Sequence, residues 1–196
     1  MPLLLFFPVR VRSFILVIFN QQAAMHSPQT KILDQAAIRA RIRRIAYEIY
    51  EANYSEQEVI VIGIDERGGF LADKLCRNLR EISPLRIISA RAHVDRSDAP
   101  QSIGIDLSID IGELRGKSVI VVDDVLYTGF TLLHVVSILL QAFPRSLHTA
   151  VLIDRGHRSL PIASDYTGLE LATTIQQHVY VEIDQDMGVV EAFLRD

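Results

Sequence analysis

The sequence has almost no cysteine, no marked excess of one charge and no long apolar run, and each absence excludes a class of protein. The single cysteine, Cys76, cannot form a disulfide within the chain, and its place in a helical pattern favours a small buried side chain over a reactive thiol. A reducing cytoplasm is therefore the expected location. Lys and Arg number 20 against 24 Asp and Glu, a formal net charge of −4. The molecule as a whole should not attract nucleic acid or anionic lipid, so any basic site must be local.

The first 24 residues differ in composition from the rest of the chain. They contain two short apolar runs, Leu3–Phe7 and Phe14–Phe19, separated by a proline and two arginines. Neither run reaches the roughly 20 residues that a membrane-spanning helix needs, and a secretory signal carries its positive charge before a single apolar region. A start codon assigned too early explains this segment best, because the globular pattern begins at Met25; a signal-like or peripheral segment is the alternative. The expected domain is 25–196, with 1–24 as an extension.

Length and composition indicate one globular domain of the α/β class. The chain has 196 residues, of which 49% are hydrophobic and 22% charged, which excludes disorder, collagen and disulfide-rich scaffolds. Continuous Val and Ile runs alternate with helical patterns, and this predicts a doubly wound, mostly parallel sheet flanked by helices. A polar stretch at 93–102 is expected to be a mobile loop. The predicted elements are helices at 35–53, through 71–79 and at 131–142, and strands at 58–64, 85–91, 118–122, 148–153 and 179–183.

The residues that carry chemistry follow the strand at 118–122. Two acids, Asp123 and Asp124, come first, and a Thr-Gly-Phe-Thr turn at 128–131 then opens a helix. Ligands of open α/β sheets bind beyond the carboxyl ends of the strands, and the amides at a helix start bind anions. The acids can accept hydrogen bonds from vicinal hydroxyls or help to hold a divalent cation. Together these features suggest a sugar phosphate; the alternative is an acidic strand end followed by an ordinary turn.

This run closely resembles the phosphoribosyl diphosphate (PRPP) signature of type I phosphoribosyltransferases. Two further runs, Val151–Ile162 and Ala163–Gly168, resemble the PyrR family, and the resemblance covers about 31–184. Proteins of that family regulate attenuation of pyrimidine-operon mRNA and carry uracil phosphoribosyltransferase activity. The resemblance implies the type I phosphoribosyltransferase fold with a small hood. It also implies transfer of the ribose 5-phosphate unit from PRPP to uracil, which gives UMP and diphosphate, with Mg²⁺ as cofactor. A homodimer or higher homo-oligomer is expected. An mRNA leader is a possible partner; a membrane is not expected.

The resemblance also assigns roles to individual residues. The 5′-phosphate is expected to bind to Thr128, Gly129 and Thr131. The ribose hydroxyls, and through them an indirectly held Mg²⁺, are expected at Asp123 and Asp124. The diphosphate is expected at Arg67, Gly68 and Gly69. Arg67, Asp123 and Asp124 are the candidate catalytic residues. For Arg67, a surface ion pair with a neighbouring acid is the alternative.

A further set of residues is expected to surround the base. Tyr127 stands where other members of the fold have an acid that assists deprotonation of a purine, and a phenol with a reference pKa of about 10 favours a pyrimidine instead. By resemblance to the hood, the Tyr166 ring and the Thr167 backbone stack on the base and bind its edge; a half-buried Tyr166 is the alternative. Arg155 and His157 are additional candidates for substrate binding, although His157 is equally compatible with a solvated turn.

The sequence departs from the family pattern in three places. Phe130 occupies a position that is often Arg, so a cation near the phosphate is missing. The 93–102 stretch is short and lacks the usual Tyr-Arg-Asp start, for which Asp95 and Arg96 could substitute. On the first helix, Arg43 and Arg44 are candidate RNA contacts, but a solvated face paired with acids is the commoner fate of such residues.

Two classes of function therefore stay open. The chain is either an enzyme that releases diphosphate from PRPP or a regulator that senses nucleotides and binds RNA with little or no catalysis. A salvage enzyme for another base is a weaker third possibility.

Overall fold

The apolar runs fold into a six-stranded sheet in a computed structural model that describes residues 29–97, 103–184 and 188–195. The predicted extension 1–24 lies outside this part. The strands run in the spatial order β4-β3-β2-β5-β6-β7, and all neighbours are parallel except β3 and β4. Their bounds are β2 Glu58–Ile64, β3 Arg86–Asp95, β4 Gly104–Leu107, β5 Ser118–Leu126, β6 Ser146–Asp154 and β7 Tyr166–Glu170. The predicted mostly parallel α/β sheet is confirmed.

Three helices cover the two faces of this sheet. They are α1 Gln35–Ala52, α2 Asp65–Ile82 and α3 Phe130–Leu139, and short 3₁₀ helices lie at Ile111–Leu114 and Leu140–Ala142. Helices α1 and α2 bury their apolar stripes in one cluster, and α3 packs in a second cluster that includes alternate side chains of β2 and β5. Helix α1 begins where the Asp34 carboxylate accepts a hydrogen bond from the Ala37 amide (2.8 Å), which makes Asp34 its N-cap.

A second, smaller sheet is built from the two ends of the described chain. It is antiparallel, in the order β1-β9-β8, from strands Gln29–Leu33, Val189–Arg195 and His178–Asp184. This sheet is the hood that the family resemblance implies. Tyr166 and Thr167, which were expected in the hood, belong instead to the edge strand of the main sheet, so that expectation is wrong. In the described part of the chain, no helix is long and apolar enough to span a membrane.

Two strands extend beyond their predicted ends. Strand β5 continues through both acids to Leu126, because the backbone of Asp123 still pairs with Val151 and that of Val125 with Ile153. Strand β3 continues through His93 to Asp95 and pairs with β4, so the start of the expected loop at 93–102 is strand. The residues 98–102 lie outside the described part.

Glycines let α2 lie directly on the strands that hold the acids. A β-carbon on Gly63 would overlap the Cα atom of Gly69, and one on Gly68 would lie 2.5 Å from the carbonyl oxygen of Val122. Any side chain here would push the first turn of α2 away from β2 and β5. This close approach fixes the position of Arg67 relative to Asp123.

Gly63→Ala should therefore destabilise the protein by about 1 to 3 kcal/mol, the usual cost of overpacking a filled site. Urea unfolding of both proteins measures the difference. Gly104→Ala is the matched control, because its β-carbon would meet only the Cβ of Asp95 at 3.4 Å, an ordinary contact. Equal unfolding free energies for the two variants would show that this packing is not tight.

Candidate active site

Four elements meet at one cleft at the carboxyl edge of the main sheet. The ends of β3 and β5 and the starts of α2 and α3 surround a volume of about 430 Å³. The polar residues that line it, which we call the acidic cleft, are Asp65, Glu66, Arg67, Arg96, Asp123, Asp124 and Thr131. Sequence patterns separated by about 60 residues are thus brought to one place, as expected for a ligand site in an open α/β sheet.

The two acids are adjacent on β5 but have different surroundings. The Asp123 carboxylate accepts a hydrogen bond from the Asp124 amide, and the Asp124 carboxylate accepts one from the Val125 amide, each 2.9 Å. Burial, followed by the nearby charge of Asp124, raises the pKa of Asp123 well above its ordinary value. A bound cation or a pair of hydroxyl donors would stabilise the ionised form, which is the chemistry that a ribose offers.

The turn between β5 and α3 forms a compact cradle. Gly129 has a φ of +84°, and a β-carbon there would lie 2.5 Å from Ile162 Cγ2, so glycine is needed for both conformation and space. The carbonyl of Thr128 accepts a hydrogen bond from the Ser159 amide (3.0 Å), which anchors the turn. Helix α3 starts immediately afterwards, and the first amides of a helix have no intrahelical acceptor. The cradle thus presents amides and two threonine hydroxyls to an anion.

Arg67 lies in the first turn of α2, opposite the acids. Its guanidinium is 3.9 Å from the Asp124 carboxylate, and its side chain is 59% exposed. It also lines a second cleft of about 460 Å³ against β8, together with Val181 and Ile183. Arg67 therefore stands between the acidic cleft and the small sheet.

Comparisons with known proteins agree with this geometry. Residues 28–186 match the family described as the phosphoribosyl transferase domain. The chain is 34% identical to the "Bifunctional protein pyrR" of Enterococcus faecalis over 169 residues, which cover 82% of this chain and 93% of that protein. It is 38% identical to the Staphylococcus aureus "Bifunctional protein PyrR" over 168 residues, which cover 81% of this chain and 96% of that protein. The chain belongs to the phosphoribosyl transferase family.

A solved member of the family shares the fold. The hypoxanthine phosphoribosyltransferase of Trypanosoma cruzi superposes with a TM-score of 0.69 at 19% identity, over 85% of this chain and 97% of that one. The type I phosphoribosyltransferase fold and the resemblance to PyrR proteins are both confirmed. The roles of individual residues stay predictions.

The donor set of this transferase fits a magnesium ion that arrives with a substrate. Among the described residues, no group of three or more His, Cys, Asp or Glu side chains is arranged to hold a metal. Mg²⁺ is commonly held by one or two carboxylates, with water and phosphate oxygens completing its shell. Asp123 and Asp124 meet that requirement.

Two expected contacts of the base are not in the cleft. The Tyr166 side chain is 8% exposed and packs in the core on the α1 and α2 face, with its ring centroid 5.9 Å from that of His148. The Thr167 carbonyl accepts a hydrogen bond from Arg44 (2.7 Å). A buried ring in the core offers no face for a base, so the structure does not support the stacking role.

Arg155 and His157 instead hold a loop in place. The Arg155 side chain is buried, lies 4.1 Å from the centre of the Tyr127 ring, and donates to the Thr173 hydroxyl (3.1 Å). It also donates to the Thr174 and Gln177 carbonyls, and a His157 ring nitrogen lies in hydrogen-bond contact with the Thr173 carbonyl. Together these bonds connect the loop after β6 with the segment that leads into β8.

Several site residues were not found from the sequence. Asp65 lines the acidic cleft, and Val181 and Ile183 line the cleft against β8. Arg96 was named only as a possible substitute in the 93–102 stretch. Its place in the acidic cleft would have followed had the alternation of β3 been continued to Asp95, because the next residue then lies at the same edge as the acids. The partners of β8 come from distant parts of the chain, so no local pattern indicates that it faces Arg67.

Asp123→Asn should stabilise the ligand-free protein at about pH 8 and lose this advantage towards about pH 4. The pKa of Asp123 is raised by folding, so the native state resists ionisation, and stability falls as the pH rises above the unfolded value. Urea unfolding across this pH range measures the effect. Asp106→Asn, at an exposed position of β4, is the control. If Asp123→Asn raised the free energy of unfolding equally at every pH, this would contradict a raised pKa for Asp123.

Proposed function

We propose that the protein transfers the ribose 5-phosphate unit of PRPP to N1 of uracil, with release of diphosphate. The observation that carries this proposal is that one cleft is lined by the paired acids, by Thr131 of the cradle and by the basic turn, which is the first turn of α2 with Arg67. In this proposal the phosphate lies at the Thr128–Thr131 cradle, the ribose hydroxyls at Asp123 and Asp124, and the diphosphate at Arg67, whose guanidinium is 3.9 Å from Asp124. The close relatives named as bifunctional PyrR proteins support the same activity.

The reaction breaks the bond from C1 of the ribose to the diphosphate oxygen and forms a bond from C1 to N1 of uracil, with loss of the N1 proton. Negative charge grows on the leaving group while positive charge grows on the ribose ring. Arg67 and the amides of the first turn of α2 face the leaving group, and the acids face the ring and its hydroxyls. Mg²⁺, when bound with PRPP, adds further charge neutralisation at the diphosphate.

The base is expected in the cleft between Arg67 and β8. Val181 and Ile183 provide its apolar lining, and Glu66, Glu182 and Asp184 line it as well. A pyrimidine suits this chain better than a purine, because Tyr127 offers no carboxylate for a purine proton and its ring is covered by the Arg155 guanidinium. A cytoplasmic location and a homodimer or higher oligomer complete the proposal.

Arg67→Ala should lower turnover more than it raises the Michaelis constant for uracil, with a loss of about 3 kcal/mol of transition-state stabilisation. Diphosphate release with PRPP and uracil measures this, with cytosine and hypoxanthine as comparison bases. Arg86→Ala is the control, because Arg86 pairs with Glu58 (3.5 Å) at the opposite end of β3 and is largely exposed. If the unaltered protein releases no diphosphate in the presence of uracil, the proposal that it is a uracil phosphoribosyltransferase is rejected.

A second function, RNA binding, is favoured by a basic groove between α1 and α2. Arg39, Arg43, Lys74 and Arg77 line a volume of about 300 Å³. Burial lowers the pKa of Lys74, and the nearby charges of Arg77 and Arg39 lower it further. Arg44 is already engaged with the carbonyls of Thr167 and Gly168 and with Glu48.

Replacing Arg39 and Arg43 by Gln should weaken binding of pyrimidine-operon leader RNA and lower its salt dependence, by about one unit of slope for each lost phosphate contact. Filter binding over a salt series measures both quantities. Arg44→Gln should have a smaller effect, and Arg115→Gln, which replaces an exposed arginine near Phe143, should have none. RNA affinity that is unchanged in the Arg39 and Arg43 double variant would reject this groove as the RNA site.

A further inference from the structure

Arg96 reaches from the end of β3 to the starts of two helices. Its Nη1 atom donates to the Asp65 carboxylate at the start of α2 (3.0 Å) and to the Val94 carbonyl (3.1 Å). Its Nη2 atom is 3.3 Å from the hydroxyl of Thr131, in the first turn of α3. The side chain is 49% exposed and lines the acidic cleft. The Nη1 atom of the guanidinium is thus anchored, and the Nη2 atom lies next to the cradle.

The surroundings make this position unusual for a cation. A helix start carries partial positive charge, and here the starts of α2 and α3 both lie close to Arg96. Asp65 supplies the compensating negative charge, and its carboxylate is fixed by the Val94 amide (2.8 Å). His93 lies 3.3 Å from the same carboxylate. An anion in the cradle would further balance the positive charge of Arg96 and of the two helix starts.

The cradle has no cation of its own. Phe130, at the first position of α3, is 48% exposed, and its ring lies 5.2 Å from that of His134. Of the described residues that line the acidic cleft, Arg67 and Arg96 carry the positive charges. Arg67 faces Asp124, whereas Arg96 faces Thr131. The two cations therefore contact different groups of the site, Arg67 an acid and Arg96 the hydroxyl at the start of α3.

We propose that Arg96 binds the 5′-phosphate of PRPP through Nη2, and that Asp65 is a positioning residue that holds Arg96 through Nη1. This inference rests on the proposed function and adds a substrate-binding residue to it. Arg96 supplies a charge-assisted hydrogen bond beside Thr131, in place of a basic side chain at position 130. Each end of the substrate then has its own arginine.

Two ligands that each carry one end of the substrate test the assignment by calorimetry. Ribose 5-phosphate has the 5′-phosphate alone, and inorganic diphosphate with Mg²⁺ has the leaving group alone. Arg96→Gln should raise the Kd for ribose 5-phosphate about 10-fold to 100-fold and change the Kd for diphosphate by less than about 2-fold. Arg67→Gln should show the opposite pattern. Thermal unfolding without ligand shows whether each variant is folded.

Two further variants separate charge from shape. Asp65→Asn should weaken ribose 5-phosphate binding less than Arg96→Gln does, because Arg96 remains but is no longer held. Phe130→Arg in the Arg96→Gln background should restore much of the lost affinity, since it returns a cation to the cradle. A purely structural effect of Arg96→Gln would not be rescued in this way.

The outcomes distinguish this inference from the proposed function. If the unaltered protein binds PRPP but Arg96→Gln leaves ribose 5-phosphate binding unchanged, or weakens both ligands equally, the role of Arg96 is rejected and the transferase stands. If the unaltered protein binds neither PRPP nor ribose 5-phosphate, the proposed function itself fails.

Discussion

The direct contact of the first turn of α2 with the backbones of β2 and β5 is the constraint on which the site depends. It exists because Gly63, Gly68 and Gly69 leave no side chain between the layers. The contact sets Arg67 opposite Asp124 and sets Asp65 where it can hold Arg96. The basic turn, the acids and the phosphate cradle are therefore parts of one rigid arrangement, and a shift of α2 would separate them.

This arrangement concentrates unfavourable electrostatics in the cleft. Asp123 is held in a place that disfavours its ionised form, and two arginines lie near helix starts. Under the proposed function, each cost is offset when PRPP brings hydroxyl donors and phosphates to the same positions. Sites of this kind gain affinity because they are organised before the ligand arrives, and the free protein is less stable as a result.

Much of the fold was predictable, since the central strands β2, β5 and β6 contain continuous apolar runs that alternate with helical patterns. The errors have specific causes. Strand β5 was ended at the acids because a polar residue resembles a strand end, yet backbone pairing with β6 does not depend on side-chain polarity. Strand β3 was ended at Arg91 although Ala92 and Val94 continue to alternate with polar residues. The small sheet could not be found locally, because Gln29 pairs with Arg195.

The site was predictable to the extent that it lies in contiguous motifs. The acids, the cradle and the basic turn were all found from their own sequence context. Arg96 joins them only because β3 lies beside β2, which is a property of strand order. The prediction for Tyr166 was wrong because the local sequence does not indicate on which face of the sheet a strand buries an aromatic side chain.

The stacking of Arg155 on Tyr127 bears on how base preference could change during evolution. A carboxylate introduced at position 127 would lie against a buried guanidinium and pair with it, so it would not be free to take a proton from a purine. Removing Arg155 first would release the Thr173 to Gln177 segment that it holds. Under the proposed function, a change from pyrimidine to purine would thus need substitutions at both Tyr127 and Arg155, each unfavourable alone.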